Sequence, residues 1–269
     1  MKILVTGASG YIGKALVSSL KNNHDVFGIC SKTVDLTNSN TTKLFLNQAC
    51  GEGGYFDFVI HAASAGVSKV FSGDLSIIDA NLRMYYNLLD NKDFFGRFIS
   101  FGSGAEILHT DTPYGFSKKV IADSMAEKGG FFNIRIYGLF DENELPTRFI
   151  KANILRYINK QPMEIYADRV MDFFYMEDLE ALIDYYISEN SLPKTTSCVY
   201  PETYRLSDIA NMINRLDSHK VEIINSNNKS PDYTILDDDG SDFACDLIEC
   251  VGIERGIQNV YRKLKSQNE

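Results

Sequence analysis

The residues best suited to chemistry are a tyrosine and a lysine four positions apart, Tyr114 and Lys118. This spacing puts both side chains on one side of a helix, and Pro113 suits its first position. A phenol has a pKa of about 10, but a nearby ammonium lowers it, so the pair can exchange a proton with a carbonyl oxygen. Ser103 follows the predicted strand RFISF and can donate a hydrogen bond to the same oxygen. The alternative is a packed aromatic beside a surface lysine.

A glycine turn lies near the start of the chain, directly after KILV, a run that is apolar except for its lysine. In the pattern T-G-x-x-G-x-x-G, the first glycine permits a tight turn, the second lets the backbone approach a pyrophosphate, and the third lets helix and strand pack closely. The N–H groups at the start of a helix attract phosphate. We therefore expect a bound dinucleotide, although a turn without a ligand is the alternative. The predicted contacts are Gly7, Ser9, Gly10, Tyr11, Ile12 and Gly13.

The end of the second strand indicates which nicotinamide nucleotide binds. NAD-binding sheets usually carry an Asp or Glu there, which holds the ribose 2′-hydroxyl. This chain has Cys30, Ser31 and Lys32 instead. A hydroxyl and an ammonium suit a 2′-phosphate better, so we expect NADP(H) in preference to NAD(H). A solvated loop lysine is the alternative for Lys32.

Short apolar strands alternate with helical patterns through the first half of the chain. Near-continuous apolar strands in this order indicate a parallel sheet covered on both faces, and the right-handed crossover rule makes it a doubly wound, Rossmann-type α/β sheet. Ligands bind at the carboxyl ends of such strands, where each motif above falls. The predicted strands are 2–6, 26–30, 56–61, 96–101 and 132–136, and the predicted helices are 11–21, 41–49, 79–89 and 113–128.

The pattern changes after about residue 139. We expect a dinucleotide-binding domain formed by 1–140 with 170–192, and a small interleaved C-terminal substrate lobe formed by 141–169 with 193–269. The remaining predicted helices are 145–163, 177–188, 206–216 and 256–265, and the remaining strands are 172–176 and 221–224.

Composition excludes several classes of function. The net charge is −9, and the sequence contains no run of Lys and Arg, so we expect no nucleic-acid partner. The five cysteines are odd in number and include no C-x-x-C, which favours a reducing compartment. Without a signal segment or a long apolar run, we expect no membrane association and a cytoplasmic protein. The run Asp237–Asp239 is interpreted as a solvated turn, and no metal site is expected.

The glycine turn, the strand-end serine and the Y-x-x-x-K pair occur in the order found in short-chain dehydrogenases/reductases. The chain resembles the extended branch of that family, and most closely its nucleotide-sugar epimerases, dehydratases and reductases. This resemblance implies hydride transfer at Ser103, Tyr114 and Lys118, with Lys118 also holding the nicotinamide ribose. It further implies cofactor contacts at Asp35 and Leu36 beside adenine and at Ala62 and Ala63 after His61, and a supporting role for Asn81.

Residues after Ser103 distinguish the reactions of this family. The resemblance associates dehydration with Thr-Asp-Glu at this place, where the chain has Ser103-Gly104-Ala105, and Glu106 lies one place further. It associates double epimerisation with a cysteine at the position of Ala105. The remaining reactions are reduction of a 4-keto sugar nucleotide with NADPH and 4-epimerisation on tightly held NAD, of which the predicted cofactor favours the first. A non-catalytic sensor and a reductase of small carbonyl compounds are further alternatives.

The resemblance also implies partners. The expected substrate is a nucleoside-diphosphate sugar whose diphosphate contacts Arg148, Lys151 and Arg169, each of which is alternatively an ordinary surface residue. A homodimer is expected through the helices that carry Asn81 and Tyr114.

Overall fold

The computed structural model describes residues 1–66, 73–235 and 240–267. The chain forms two compact units, one made of Met1–Arg135 with Tyr186–Thr196 and the other of Ile136–Tyr185 with Ser197–Glu269. The division into a cofactor domain and a substrate lobe stays a prediction, because it concerns what each part binds.

The first part of the chain alternates strands and helices. Its elements are β1 Lys2–Thr6, α1 Tyr11–Leu20, β2 Asp25–Ile29, α2 Ser39–Cys50, β3 Phe56–His61, α3 Ser76–Leu89, a 3₁₀ turn Lys92–Phe94, β4 Phe95–Ser103, α4 Ala105–Leu108, α5 Pro113–Ala126 and β5 Phe131–Ile136.

The later elements are shorter. They are β6 Leu139–Phe140, α6 Phe149–Ile158, β7 Met163–Ile165, β8 Phe174–Tyr175, α7 Met176–Ser188, β9 Thr195–Cys198, α8 Leu206–Ile213, β10 Ile223–Asn225, β11 Asp242–Phe243, α9 Ala244–Leu247 and α10 Ile253–Ser266.

Among the described residues, seven strands form one sheet in the order β11-β9-β5-β4-β3-β1-β2. Strand β1 pairs in parallel with β2 on one side and with β3 on the other, and β3 pairs in parallel with β4. The strand order therefore reverses at β1, which is the point where such sheets bind ligands. The predicted doubly wound α/β fold is confirmed.

The sheet of the first unit is stabilised by an aromatic core. Phe98 on β4 is fully buried and stacks on Phe131 of β5, with ring centroids 5.1 Å apart. Tyr85 of α3 packs edge-on against Phe98 and is also fully buried. Burial of such rings contributes about 1.5–3 kcal/mol each, which holds β4 and its carboxyl end in a fixed position.

Two predicted elements of the second unit are shorter than expected. The helix predicted at 145–163 covers only Phe149–Ile158, because Lys160 has a positive φ of 56° and Pro162 follows. The strand predicted at 172–176 is limited to Phe174–Tyr175. Just before it, the Asp172 amide donates to the Tyr233 carbonyl at 3.2 Å, and its carboxylate accepts from the Thr234 hydroxyl and the Ile235 amide. A loop therefore takes the place of a neighbouring strand at this residue.

One cysteine pair differs from the expectation of reduced thiols. Cys245 and Cys250 are joined by a disulfide within the second unit, with Cα atoms 5.7 Å apart. The short helix α9 brings the two positions together, which spacing alone does not reveal. Cys30, Cys50 and Cys198 are free thiols.

Within the described ranges, no helix combines the length and the apolar character needed to cross a bilayer.

Candidate active site

The glycine turn between β1 and α1 has the close packing that the sequence predicted. Gly7 has a φ of +66°, and a Cβ atom there would lie 2.7 Å from the Ala63 amide nitrogen. A Cβ at Gly13 would lie 2.2 Å from the Gly7 carbonyl oxygen. Gly10 is the N-cap of α1 and has no side chain to cover the amides of the first turn. These backbone amides form a cradle that fits the pyrophosphate of a dinucleotide.

The segment after β2 is the one expected to contact the adenosine ribose. The Cys30 amide donates to the Thr33 hydroxyl at 3.0 Å, and this turn leaves Ser31 and Lys32 exposed. The Asp35 carboxylate accepts from the amide and hydroxyl of Thr37, which lowers the pKa of Asp35.

Leu36, the other residue of the predicted adenine contact, has its side chain in the hydrophobic core. Its carbonyl accepts from Asn87 Nδ2 at 2.8 Å, so α3 fixes this segment. The roles of Ser31, Lys32, Asp35 and Leu36 toward the cofactor stay predictions.

His61 at the end of β3 is part of a buried hydrogen-bond chain. Its Nδ1 lies 2.8 Å from the Thr6 hydroxyl, which also accepts from the Ala63 amide at 3.2 Å. Burial first, and the charge of Lys118 second, lower the pKa of His61 to about 3. His61 is therefore a neutral structural group that brings Ala62 and Ala63 against the glycine turn.

Asn81 of α3 links the loop after β3 to α5. Its side chain accepts from the Ala65 amide at 2.7 Å and donates to the Ser117 hydroxyl at 2.9 Å. The Ser117 hydroxyl donates in turn to the carbonyl of Tyr114. A buried Asn that satisfies the main chain in this way holds the first turn of α5 in place.

The start of α5 follows from its local sequence. Thr112 is the N-cap, and its hydroxyl accepts from the Gly115 amide at 3.1 Å, while Pro113 occupies the first helical position. A Cβ at Gly115 would lie 2.0 Å from the His109 carbonyl oxygen. Only glycine allows this approach of α5 to the turn before it, and the approach directs Tyr114 inward.

The three predicted catalytic residues lie around the end of β4. Lys118 donates from Nζ to the Phe101 carbonyl at 2.7 Å, two residues before Ser103. Tyr114 shares a hydrophobic cluster with Ala105, two residues after Ser103. The ammonium of Lys118 lies 5.7 Å from the centroid of the Tyr114 ring. All three residues are buried, with exposures of 7%, 6% and 7% for Ser103, Tyr114 and Lys118.

The electrostatics of Lys118 suit acid–base work. Burial lowers its pKa from about 10.5 to about 8, and the negative charge of Glu106 opposes part of that change. An ammonium beside a phenol favours the phenolate and so eases proton exchange at Tyr114. The arrangement can protonate a carbonyl oxygen as a hydride reaches the carbon, or carry out the reverse.

Glu106 has a role that the sequence analysis missed, because its position three residues after Ser103 indicates only a nearby carboxylate. Glu106 is 4% exposed as a whole residue, and its carboxylate accepts from the Ser103 amide, from Asn133 Nδ2 and from Arg135 Nε, at 3.1, 2.8 and 2.7 Å. These donors occupy both oxygens, so the carboxylate is held as a buried ion-pair partner. The sequence signal was faint, since Asn133 and Arg135 lie on a strand far along the chain.

The second unit contains the cations predicted for the substrate. Lys151 donates from Nζ to the carbonyls of Glu142 and Glu144, both at 2.7 Å. Arg169 donates to the Ser230 hydroxyl at 3.0 Å and to the Pro231 carbonyl at 3.2 Å. Arg148, at the N-cap of α6, has an exposed side chain. Lys151 and Arg169 thus support loops, and the substrate role of all three stays a prediction.

Across residues 1–66, 73–235 and 240–267, no three or more His, Cys, Asp or Glu side chains are grouped to hold a metal ion. The run Asp237–Asp239, interpreted from the sequence as a solvated turn, lies outside these residues.

Comparison with known families and structures agrees with this geometry. Residues 3–199 match the model of the NAD dependent epimerase/dehydratase family. The chain belongs to that family. Its predicted place among the extended short-chain dehydrogenases/reductases, and its class as an NAD(P)-dependent oxidoreductase or epimerase, are confirmed.

The proteins that this chain resembles include sugar-nucleotide enzymes. CDP-abequose synthase of Yersinia pseudotuberculosis is 24% identical over 263 residues, which cover 87% of this chain and 92% of that protein. The fold is similar to GDP-mannoheptose C4 reductase of Campylobacter jejuni with NADP bound, with a TM-score of 0.77, 18% identity and 98% coverage of each chain.

The fold is also similar to the UDP-glucose 4-epimerase of Thermus thermophilus in complex with NAD, with a TM-score of 0.74, 17% identity and coverage of 97% of this chain and 98% of that one. Both nicotinamide nucleotides therefore occur among the structures of this fold.

Proposed function

We propose that the protein reduces the 4-keto group of a (deoxy)sugar nucleotide with NADP(H), as a step in nucleotide-sugar biosynthesis. The observation that carries this proposal is the grouping of Ser103, Tyr114 and Lys118 beside a carboxylate that is already engaged. Glu106 is bonded to Arg135, Asn133 and the Ser103 amide, so it is not available to remove water from a sugar. Reduction of a ketone needs only the three residues and the cofactor.

Each residue has a defined part in that reaction. The reduced nicotinamide, when bound, supplies a hydride to the carbonyl carbon. Tyr114 gives its phenolic proton to the carbonyl oxygen, and Ser103 donates a hydrogen bond to the same oxygen. Lys118 stabilises the phenolate that remains, because an ammonium favours a nearby negative charge. Among relatives, a GDP-mannoheptose C4 reductase and CDP-abequose synthase support a ketone or sugar-nucleotide substrate.

The preference for NADP(H) is supported by the segment after β2. Ser31 and Lys32 are exposed there, and no residue from Cys30 to Val34 is acidic. A 2′-phosphate carries negative charge, and an ammonium and a hydroxyl can donate hydrogen bonds to it.

Among the three predicted contacts of the substrate diphosphate, we favour Arg148. Its side chain is exposed, whereas Lys151 and Arg169 donate to loop atoms.

A homodimer and a cytoplasmic location complete the proposal. Large aromatic side chains are exposed on the helices expected to pair, with Tyr86 of α3 at 38% and Phe116 of α5 at 46%. Pairing of the two helices across a dimer axis would cover both rings. Sedimentation of the wild type and of Phe116→Glu tests this, with a dimer expected for the first and a monomer for the second.

The decisive experiment is incubation of the protein with NADPH or NADH and a panel of GDP-, dTDP-, CDP- and UDP-4-keto-6-deoxyhexoses, following the absorbance of the reduced nicotinamide. We expect stoichiometric oxidation of NADPH that is lost in Tyr114→Phe. Conversion of a sugar nucleotide to its 4-epimer without net oxidation would replace the reductase by the alternative, a NAD-dependent 4-epimerase. Nucleotide binding without any turnover of either kind would indicate a sensor.

A further inference from the structure

A buried ion pair lies directly behind the main chain of Ser103. Glu106 and Arg135 are in contact at 2.7 Å, with side-chain exposures of 2% and 9%. The three groups that contact the Glu106 carboxylate are all donors: the Ser103 amide, the Asn133 side-chain amide and the Arg135 guanidinium. A carboxylate can accept from all of them, whereas the amide of a glutamine offers a single oxygen.

The surrounding backbone is shaped to admit this carboxylate. Gly102 precedes Ser103, and a Cβ atom there would lie 2.5 Å from Glu106 Oε2 and 2.5 Å from Asn133 Oδ1. A side chain at 102 would force the Glu106 carboxylate or the Asn133 amide to shift. Glycine at this position therefore allows Glu106 to reach the Ser103 amide from one side.

The same carboxylate acts electrostatically on Lys118. Burial lowers the pKa of Lys118 to about 8, and the charge of Glu106 raises it. Other polar groups near Lys118 are Tyr114 on the same helix and His61 at the end of β3. His61 is neutral, because its pKa is lowered to about 3, and Arg135 is paired with Glu106. Lys118 donates to the Phe101 carbonyl at 2.7 Å, and Glu106 accepts from the amide of Ser103, two positions further along β4, at 3.1 Å. The carboxylate is therefore a negative charge held at the same strand end as the buried ammonium.

We propose that Glu106 is a positioning residue, whose carboxylate fixes the peptide that presents Ser103 and places a negative charge at the strand end to which Lys118 is bonded. This inference rests on the proposed roles of Ser103, Tyr114 and Lys118. It assigns Glu106 no contact with substrate. The exposed Asp123, which lies on α5 with Lys118 and pairs with Lys119 at 2.9 Å, offers a matched control for the loss of one negative charge.

The test follows the titration of Lys118 by NMR in protein labelled at lysine Cε, with the signal assigned from Lys118→Arg. In Glu106→Gln we expect the titration midpoint of Lys118 to move to lower pH, because the ammonium loses its nearby opposite charge. In Asp123→Asn we expect no movement. Glu106→Asp, which keeps the charge, should retain a midpoint close to that of the wild type. An unchanged midpoint in folded Glu106→Gln would overturn the proposal.

If Glu106→Gln does not fold, the titration is made on Glu106→Gln/Arg135→Gln and compared with Arg135→Gln, so that the loss of the guanidinium charge is common to both proteins. A midpoint below that of Arg135→Gln supports the proposal, and a midpoint equal to it contradicts the proposal.

Steady-state kinetics provides the second readout. We expect Glu106→Gln to lower kcat by about tenfold with the KM for NADPH unchanged, because a small displacement of the Ser103 hydroxyl weakens the transition state more than cofactor binding. A kcat equal to that of the wild type would contradict the positioning of Ser103. Absence of turnover in the wild type itself would refute the proposed function, while the titration of Lys118, measured without substrate, would still decide the role of Glu106.

Discussion

The ammonium of Lys118 donates to the main-chain carbonyl of Phe101 at 2.7 Å and thereby joins the helix α5 to the strand that ends at Ser103. Ser103 lies two positions after Phe101, so this bond sets the distance between Lys118 and the end of β4. A lysine buried in this way has both a structural and an electrostatic effect, and the two can be separated by experiment.

The pH dependence of turnover should report the ionisation of Lys118. Its pKa of about 8 means that the ammonium is present below that pH and is lost as the pH rises through it. We therefore expect kcat/KM for ketone reduction to fall above about pH 8, since this ratio reports groups of the free enzyme. In Lys118→Arg the guanidinium stays charged, so the falling limb should move to higher pH while the maximum rate decreases. A falling limb at the same pH in both proteins would assign it to another group.

The glycine turn should not tolerate a methyl group at Gly13. In Gly13→Ala the new Cβ would lie 2.2 Å from the Gly7 carbonyl, so either α1 or the turn must move. We expect weaker binding of NADPH, measured by the quenching of its fluorescence, and a loss of stability of about 1–3 kcal/mol. Gly129→Ala is the control, because a Cβ there has nothing within 4 Å. Equal effects of the two substitutions would disprove the close-packing argument.

The choice of nicotinamide nucleotide should depend on Lys32. Lys32→Ala removes an exposed ammonium after β2, and we expect the KM for NADPH to rise about tenfold, as for loss of one charged hydrogen bond, with the KM for NADH unchanged. Lys21→Ala, which removes an exposed lysine at the end of α1, serves as the comparison. A rise in both KM values, or in neither, would count against a 2′-phosphate contact at Lys32.

The cations of the second unit should separate into binding and structural residues. Arg148→Gln, at an exposed position, should raise the KM for the sugar nucleotide and leave the thermal midpoint unchanged. Lys151→Met should lower the thermal midpoint, because two carbonyls at 2.7 Å lose their donor. The opposite pattern, with Arg148 affecting stability alone, would remove it from the substrate site. Calorimetry and initial rates on the same samples make the comparison.

Local patterns in the sequence were sufficient for the main elements of the first unit. The strands predicted at 2–6 and 56–61 coincide with β1 and β3, because a continuous apolar run bounded by turn residues is decided by short-range burial. The start of α5 at Pro113 was also predictable, since a proline at the first helical position needs no distant partner. Predictions were poorer after residue 139, where loops rather than neighbouring strands satisfy the backbone, as at Asp172, whose amide donates to the Tyr233 carbonyl at 3.2 Å.

The sequence by itself determined the type of sheet and the order of Ser103, Tyr114 and Lys118 along the chain, because hydrophobic periodicity and helical spacing are local properties. Only the tertiary structure decided what Glu106, Lys151 and Arg169 contact. Each of these side chains is charged, and its partners are set by which strands and loops come together in the fold. A charged side chain that becomes buried needs a partner of opposite charge, and the Arg135 guanidinium is that partner for Glu106.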